Sequence, residues 1–209
     1  MRVTFFGPPG SGKGTQAEKI SEYFGLEHIS TGVLLRQEIS SGSKLGERIR
    51  EIVESGHLVS DDIVNREVFA RIRNADGYLL DGYPRNLSQA GRLDRFLEET
   101  GKPLSGAVFI HIPDEEVMRR LTGRLVCACA DGTRHSSGFA EGDTCPECGA
   151  TFVRRTDDSN EIVKKRLEHY HSATGHLEEY YRGRLLTVNG LGTIEEVYQR
   201  LRKELMAWA

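Results

Sequence analysis

Nine residues near the start of the chain, GPPGSGKGT (7–15), follow directly on the apolar run RVTFF (2–6). Glycines let successive backbone N–H groups turn inward around an anion, and a helix starting near Lys13 points its positive end at the same place. The pattern requires a strand to enter the turn and a helix to leave it, the opening unit of an α/β fold. Gly7, four residues, then Gly12 and Lys13 have the spacing of a phosphate loop. Gly14 breaks the common order of lysine then hydroxyl, so the hydroxyl arrives one position late, on Thr15. The lysine and the preceding strand favour a nucleotide phosphate over a plain tight connection.

The rest of the chain continues the alternation. Apolar runs at 3–6, 77–83, 106–112 and 185–190 are continuous, as expected of strands buried on both faces. Between them, 61–73, 87–99 and 113–121 carry helical patterns, which predicts a doubly wound parallel sheet. Thr193 and Glu196 form a capping box that opens the last helix. Two stretches depart from this order: 30–59 reads as helical throughout, and 123–158 is rich in Gly, Cys and Thr. Both are expected as insertions on a core made of 1–29, 60–122 and 159–209. Of 209 residues, 38% are hydrophobic and 28% charged, with a net charge of -3, the profile of a soluble globular chain and not of a nucleic-acid binder. A basic-then-apolar leader and a run of about 18 apolar residues are both missing, so a cytoplasmic protein with no membrane partner is expected.

Phosphate binding alone does not separate a switch from a motor or a kinase. YLLDGYPR (78–85) adds the next constraint. Asp81 falls at the end of an apolar strand, within reach of a magnesium shell, and Arg85 follows the Gly-Tyr turn. An Asp-Gly pair at a strand end is by itself an ordinary turn, but beside a phosphate loop it gains weight.

The segments GPPGSGKGTQA, ISTGVLLR (29–36), SGHLVSDDIV (55–64), LLDGYPRNLSQA (79–90), RRLTGR (119–124) and RRTDDSNEIVKKRL (154–167) occur in the order found in adenylate kinases. Over nearly its whole length the chain resembles that family. The resemblance implies an α/β, P-loop NTPase-like parallel five-stranded sheet flanked by helices, with an AMP-binding insert at 30–59 and a lid at 123–158. It implies reversible transfer from MgATP to AMP, giving two ADP, by a protein that is usually monomeric. It assigns the ATP phosphates to Gly10, Ser11, Gly12, Lys13, Gly14 and Thr15, and puts Arg120 and Arg124 on the ATP side, Arg120 near the adenine. Thr31, Arg36, Val59, Gly82, Arg85 and Gln89 match AMP positions, with Gln89 reading the base, and Arg155 and Arg166 match a pair that reaches across on closure. Lys13, Arg85, Arg124, Arg155 and Arg166 form the expected catalytic set, Asp81 the expected magnesium contact through water, and Asp157 and Asp158 an acidic pair near the lid hinge. So many arginines suit phosphoryl transfer, which asks for charge and alignment and no general base, because a phosphate nucleophile is already ionised.

Cys127, Cys129, Cys145 and Cys148 fall within 22 residues, a clustering that points to metal more than to disulfides. Cys145 and Cys148 have knuckle spacing, while one residue separates Cys127 from Cys129. A hairpin over 125–137, turning at Asp131-Gly132, would set Cys129 opposite His135. The preferred ligands of a structural Zn2+ are therefore Cys129, His135, Cys145 and Cys148, with Co2+ or Fe2+ as alternative ions. Cys127 competes as the first-half ligand, and a set of four cysteines stays open. Arg134 stands where the family often has an aromatic residue near the ATP base. Other readings are weaker: a pyrimidine monophosphate kinase usually has a short lid, a zinc-ribbon nucleic-acid module needs a basic stripe, and an ATP-binding switch leaves the arginines unused. His169, His171 and His176 are expected on the helix after the lid, at solvated or core positions.

Overall fold

The computed structural model describes residues 1–55, 57, 59–127, 138–146 and 148–209. RVTFF forms β1 (Arg2–Phe6), and β2 (Glu27–Ser30), β3 (Tyr78–Asp81), β4 (Gly106–His111) and β7 (Leu185–Asn189) join it in one parallel sheet. The order is β2-β3-β1-β4-β7, so the strand that carries the glycine loop lies in the middle.

Alternate residues of the central strands feed two cores, the period of two that a strand imposes. Phe6, Tyr78, Leu80, Ala107 and Phe109 belong to one. Val3, Phe5, Leu79, Val108 and Ile110 belong to the other. The first is covered by α4 (Asp61–Ile72), α5 (Leu87–Thr100) and the short α8 (Leu177–Tyr180), through Val68, Leu93, Leu97 and Leu177. The second is covered by α1 (Lys13–Phe24) and α9 (Ile194–Leu205), through Ala17, Ile20, Leu201 and Leu205. Each such side chain, fully buried, contributes about 1.5–3 kcal/mol, which ties the helices to the sheet. The expected capping box is present: Glu196 N donates to Thr193 Oγ1, and Thr193 N donates to the Glu196 carboxylate.

The expected helical stretch consists of α2 (Thr31–Ser40) and α3 (Lys44–Glu54). They cross closely at Gly46, where a Cβ would run into the carbonyl of Glu38. The sequence reading missed β2, because EHIS buries only Ile29 and lies at the sheet edge, where no continuous apolar run is required.

After α6 (Asp114–Thr122), β5 (Leu125–Cys127) pairs antiparallel with β6 (Phe152–Arg154) in a separate ribbon, with Cys127 opposite Phe152. The turn of the hairpin expected over 125–137 falls outside the described residues. Of the three histidines placed on one helix from sequence, only His169 lies on α7 (Asn160–His169), because a π-helical turn, Tyr170–Thr174, interrupts it. His171 is exposed and bonded to Asp114, and His176 is exposed.

Candidate functional site

The glycine loop leaves β1 at its C-terminal end and closes on α1, whose N-cap is Gly12. Gly7, at φ 147, presses its backbone against the Ile110 carbonyl of β4, where a Cβ would collide. Lys13 Nζ is folded back on the loop itself, donating to the carbonyls of Gly7 at 3.1 Å and Pro8 at 3.0 Å. Burial lowers its pKa to about 8; Asp81 opposes that shift, while Arg85, Arg166 and Arg124 add to it. The Ser11 hydroxyl is buried without a hydrogen-bond partner. Both features belong to a loop shaped for an anion.

Asp81 faces the loop from the end of β3, and a Cβ on Gly14 would stand 3.3 Å from its Oδ2, a tight contact. Asp81 Oδ2 accepts from Ser30 Oγ at 3.0 Å and lies 3.8 Å from His28 Nε2. Burial pushes its carboxyl up, but His28, Lys13 and Ser30 outweigh burial and hold it below its ordinary value. Nothing in the sequence singled out His28 or Ser30, since both sit on the unrecognised strand β2.

A cavity of about 170 Å³ opens beside the loop, between α2, the turn after β3 and α7. Arg85 Nε donates to Gly82 O at 2.8 Å, and Thr174 Oγ1 donates to Arg85 O at 2.7 Å. Thr31, the first residue of α2, donates to Gly82 O at 3.1 Å. Val59 lines this cavity and also a smaller one that Thr31, Arg85 and Gln89 share. His57 and His169 line the larger cavity with their rings 5.2 Å apart, so His169 is part of the site and not a plain solvated or core residue.

Two bidentate pairs aim the remaining guanidiniums. Arg124 donates to both oxygens of Asp158, at 2.7 and 2.6 Å, and Arg155 to both of Asp157, at 2.8 and 2.6 Å. Arg166 Nη1 reaches Asp157 Oδ2 at 3.2 Å and Asp158 Oδ1 at 3.0 Å. Burial is the largest influence on Arg36, Arg85, Arg124 and Arg166 and lowers the pKa of each; for Arg36 the value falls to about 10, with Arg155 as the next cause. Six cations, Lys13, Arg36, Arg85, Arg124, Arg155 and Arg166, thus interact with three carboxylates, Asp81, Asp157 and Asp158. Arg120 stands apart on the other flank of the loop, donating to Glu116 Oε1 at 2.6 Å and to Gly190 O at 3.0 Å. Gly10 and Gly12 belong to the loop with Ser11, and Thr15 is half-buried on α1.

In the ribbon, the sulfurs of Cys127, Cys145 and Cys148 lie within 4.8 Å of one another. Cys127, the competing ligand, stands beside the knuckle pair, where the β5–β6 register brings it. Cys129 and His135 lie outside the described residues, as does Arg134. Three convergent thiols on small, loop-rich structure fit a soft divalent ion such as Zn2+ that takes a fourth ligand from the chain.

A phosphate loop at the C-terminal edge of a parallel sheet, facing a second cationic pocket across one cavity, defines a nucleoside monophosphate kinase. The family model described as adenylate kinase matches residues 5–185. The chain is 42% identical to the adenylate kinase of Caldanaerobacter subterraneus subsp. tengcongensis, across 99% of this chain and 96% of the relative. It is 40% identical to that of Petrotoga mobilis, across 96% and 95%, and 38% identical to that of Methanosarcina barkeri, across 100% of both chains. The chain belongs to the adenylate kinase family.

Proposed function

We propose that the protein transfers the terminal phosphoryl group of MgATP to AMP, reversibly, giving two ADP. The observation that carries this reading is the surplus of six buried or part-buried cations over three carboxylates around one cavity. A surplus so costly to desolvate is supported only by anionic ligands, and two phosphate chains supply them.

The loop N–H groups from Gly10 to Thr15 hold the donor phosphates, and Lys13 leaves the carbonyls of Gly7 and Pro8 to follow the transferring group. Arg36 and Arg85 hold the acceptor phosphate, with Thr31 and Gly82 beside it and Val59 and Gln89 at the base. Arg124, Arg155 and Arg166 spread the charge of the phosphoryl group in flight, kept in position by Asp157 and Asp158. Arg120 flanks the donor nucleoside. Asp81 would hold Mg2+ through water, and the ion would supply positive charge against the phosphates.

In this reading 30–59 is the AMP-binding insert and 123–158 a lid that excludes water from ATP, closing on a core of 1–29, 60–122 and 159–209. The lid metal, Zn2+ with Co2+ or Fe2+ as substitutes, is structural and takes Cys145 and Cys148 with the preferred pair Cys129 and His135, or with Cys127 in place of one of that pair. The protein is read as a monomer, and thiolate ligation suits a reducing cytoplasm. Among the described residues no helix is long and apolar enough to cross a membrane. The test is diphosphate formation from MgATP with AMP, CMP, UMP or GMP in parallel. Rapid ADP from AMP alone is expected, a pyrimidine acceptor would overturn the substrate, and no transfer at all would overturn the reaction.

A further inference from the structure

We infer that Asp61 is a positioning residue that fixes which way round the Gln89 carboxamide faces, and that this orientation makes the acceptor site reject guanine. The inference rests on AMP being the acceptor, as proposed above. Gln89 is 2% exposed, near the start of α5, and lines the small cavity it shares with Thr31 and Val59. Its Oε1 accepts from the backbone N–H of Arg85 at 2.8 Å, and its Nε2 donates to Asp61 Oδ1 at 2.8 Å. A backbone N–H can only donate and an ionised carboxylate can only accept. Turning the amide over would therefore set donor against donor and acceptor against acceptor. Asp61 is itself held, because Asn86 Nδ2 donates to the same oxygen at 3.0 Å while Asn86 Oδ1 caps α5.

A carboxamide has two lone pairs and two hydrogens, and these bonds use one of each. One acceptor and one donor remain for a base. Adenine offers the N6 hydrogens as donor next to the N1 acceptor. Guanine presents the opposite order, the O6 acceptor next to the N1 hydrogen. A glutamine free to turn over meets either edge equally well. A glutamine held one way matches one of them, and leaves the other with two opposed polar contacts in a buried place, the situation in which enzymes discriminate most strongly.

The experiment compares kcat/KM for AMP and GMP, with MgATP as donor, in the wild type and in Asp61→Ala, Asp61→Ser and Asp61→Asn. Alanine removes the acceptor, serine draws its oxygen back by one bond, out of reach of Gln89, and serine keeps a polar side chain in the first turn of α4 should alanine weaken it. Both are expected to lower the AMP-to-GMP ratio by roughly 10-fold or more, chiefly through a lower KM for GMP and with KM for ATP unchanged. Asparagine keeps an oxygen able to accept the same bond, so Asp61→Asn is expected to stay within about threefold of the wild-type ratio. A wild type that does not use AMP would defeat the proposed reaction itself. A wild type selective for AMP whose ratio survives in both Asp61→Ala and Asp61→Ser would overturn the inference alone. Equal losses for both acceptors, or an Asp61→Asn ratio as low as that of Asp61→Ala, would do the same.

Discussion

The phosphate site and the cysteine ribbon are held together by different forces. The first stands where β1 and β3 end, backed by two apolar cores that run through the whole sheet. Among the described residues, the second has a buried cluster of four, Leu125, Cys127, Cys145 and Phe152, with Ala150 against it. So small a cluster falls far short of the backbone entropy of ordering the surrounding chain, at about 1–2 kcal/mol per residue. Ligation and pairing to β6 have to make up the difference. In the proposed reading, rigidity falls to the part that aligns phosphates and easy rearrangement to the part that opens and closes over them.

The largest effect should come from the rigid half. Arg85→Ala is expected to lower turnover by about 10³-fold or more with little change in melting temperature, since it removes charge aimed at the reaction and no core packing. Steady-state kinetics and a thermal melt of the same sample decide it; unimpaired turnover would remove Arg85 from the machinery.

Asp158→Ala tests the seam between the halves. Its side chain is 4% exposed and anchors Arg124 and Arg166, so its loss leaves two part-buried guanidiniums short of a partner. Stability should fall by about 3 kcal/mol, roughly 5–10 °C in the melting temperature of a chain this size. A melt within a degree of wild type would mean that the two halves are not joined there.

A chelator that strips the proposed metal should have a smaller, local effect: a melting temperature lower by a few degrees and faster proteolysis within 123–158, with ATP still bound at the loop. If neither changes, the thiols hold no metal.

The smallest effect concerns Lys13. Its pKa of about 8 in the folded chain lies below the ordinary 10.5, so between these values the unfolded chain carries the extra proton and the contribution of Lys13 to the stability of the unliganded protein rises with pH. Polyphosphate favours the charged form, so ATP binding near pH 9 should take up close to one proton, and near pH 7 almost none. Binding enthalpies in buffers of different ionisation heat report the number, and no uptake near pH 9 would mean that Lys13 stays charged in the empty site.

Much of this was legible in the sequence wherever a local rule and the fold agree. The glycine loop, the continuous strands β1, β3, β4 and β7, the helix starting at Asp61 and the Thr193 cap each announce themselves within a few residues. What escaped depends on neighbours distant in the chain. β2 is a polar edge strand, and with it went His28, whose approach to Asp81 exists only through pairing of β2 with β3. Cys127 and Cys129 lie two apart, and alternate residues of a strand share a face, so spacing could not choose between them. The pairing of Cys127 with Phe152 is what brings Cys127 to the knuckle.

The bond between Arg124 and Asp158 joins two points 34 residues apart in sequence, just where the chain leaves the sheet for the ribbon and returns from it. With its two ends pinned side by side, the intervening segment behaves as a cassette. Its length can vary at little entropic expense, because closing a longer loop between fixed ends adds only about 0.6 kcal/mol per doubling. Exchanging or shortening the part from 126 to 153, cysteines included, would leave Arg124, Arg155, Asp157 and Asp158 in place for the phosphate-binding half.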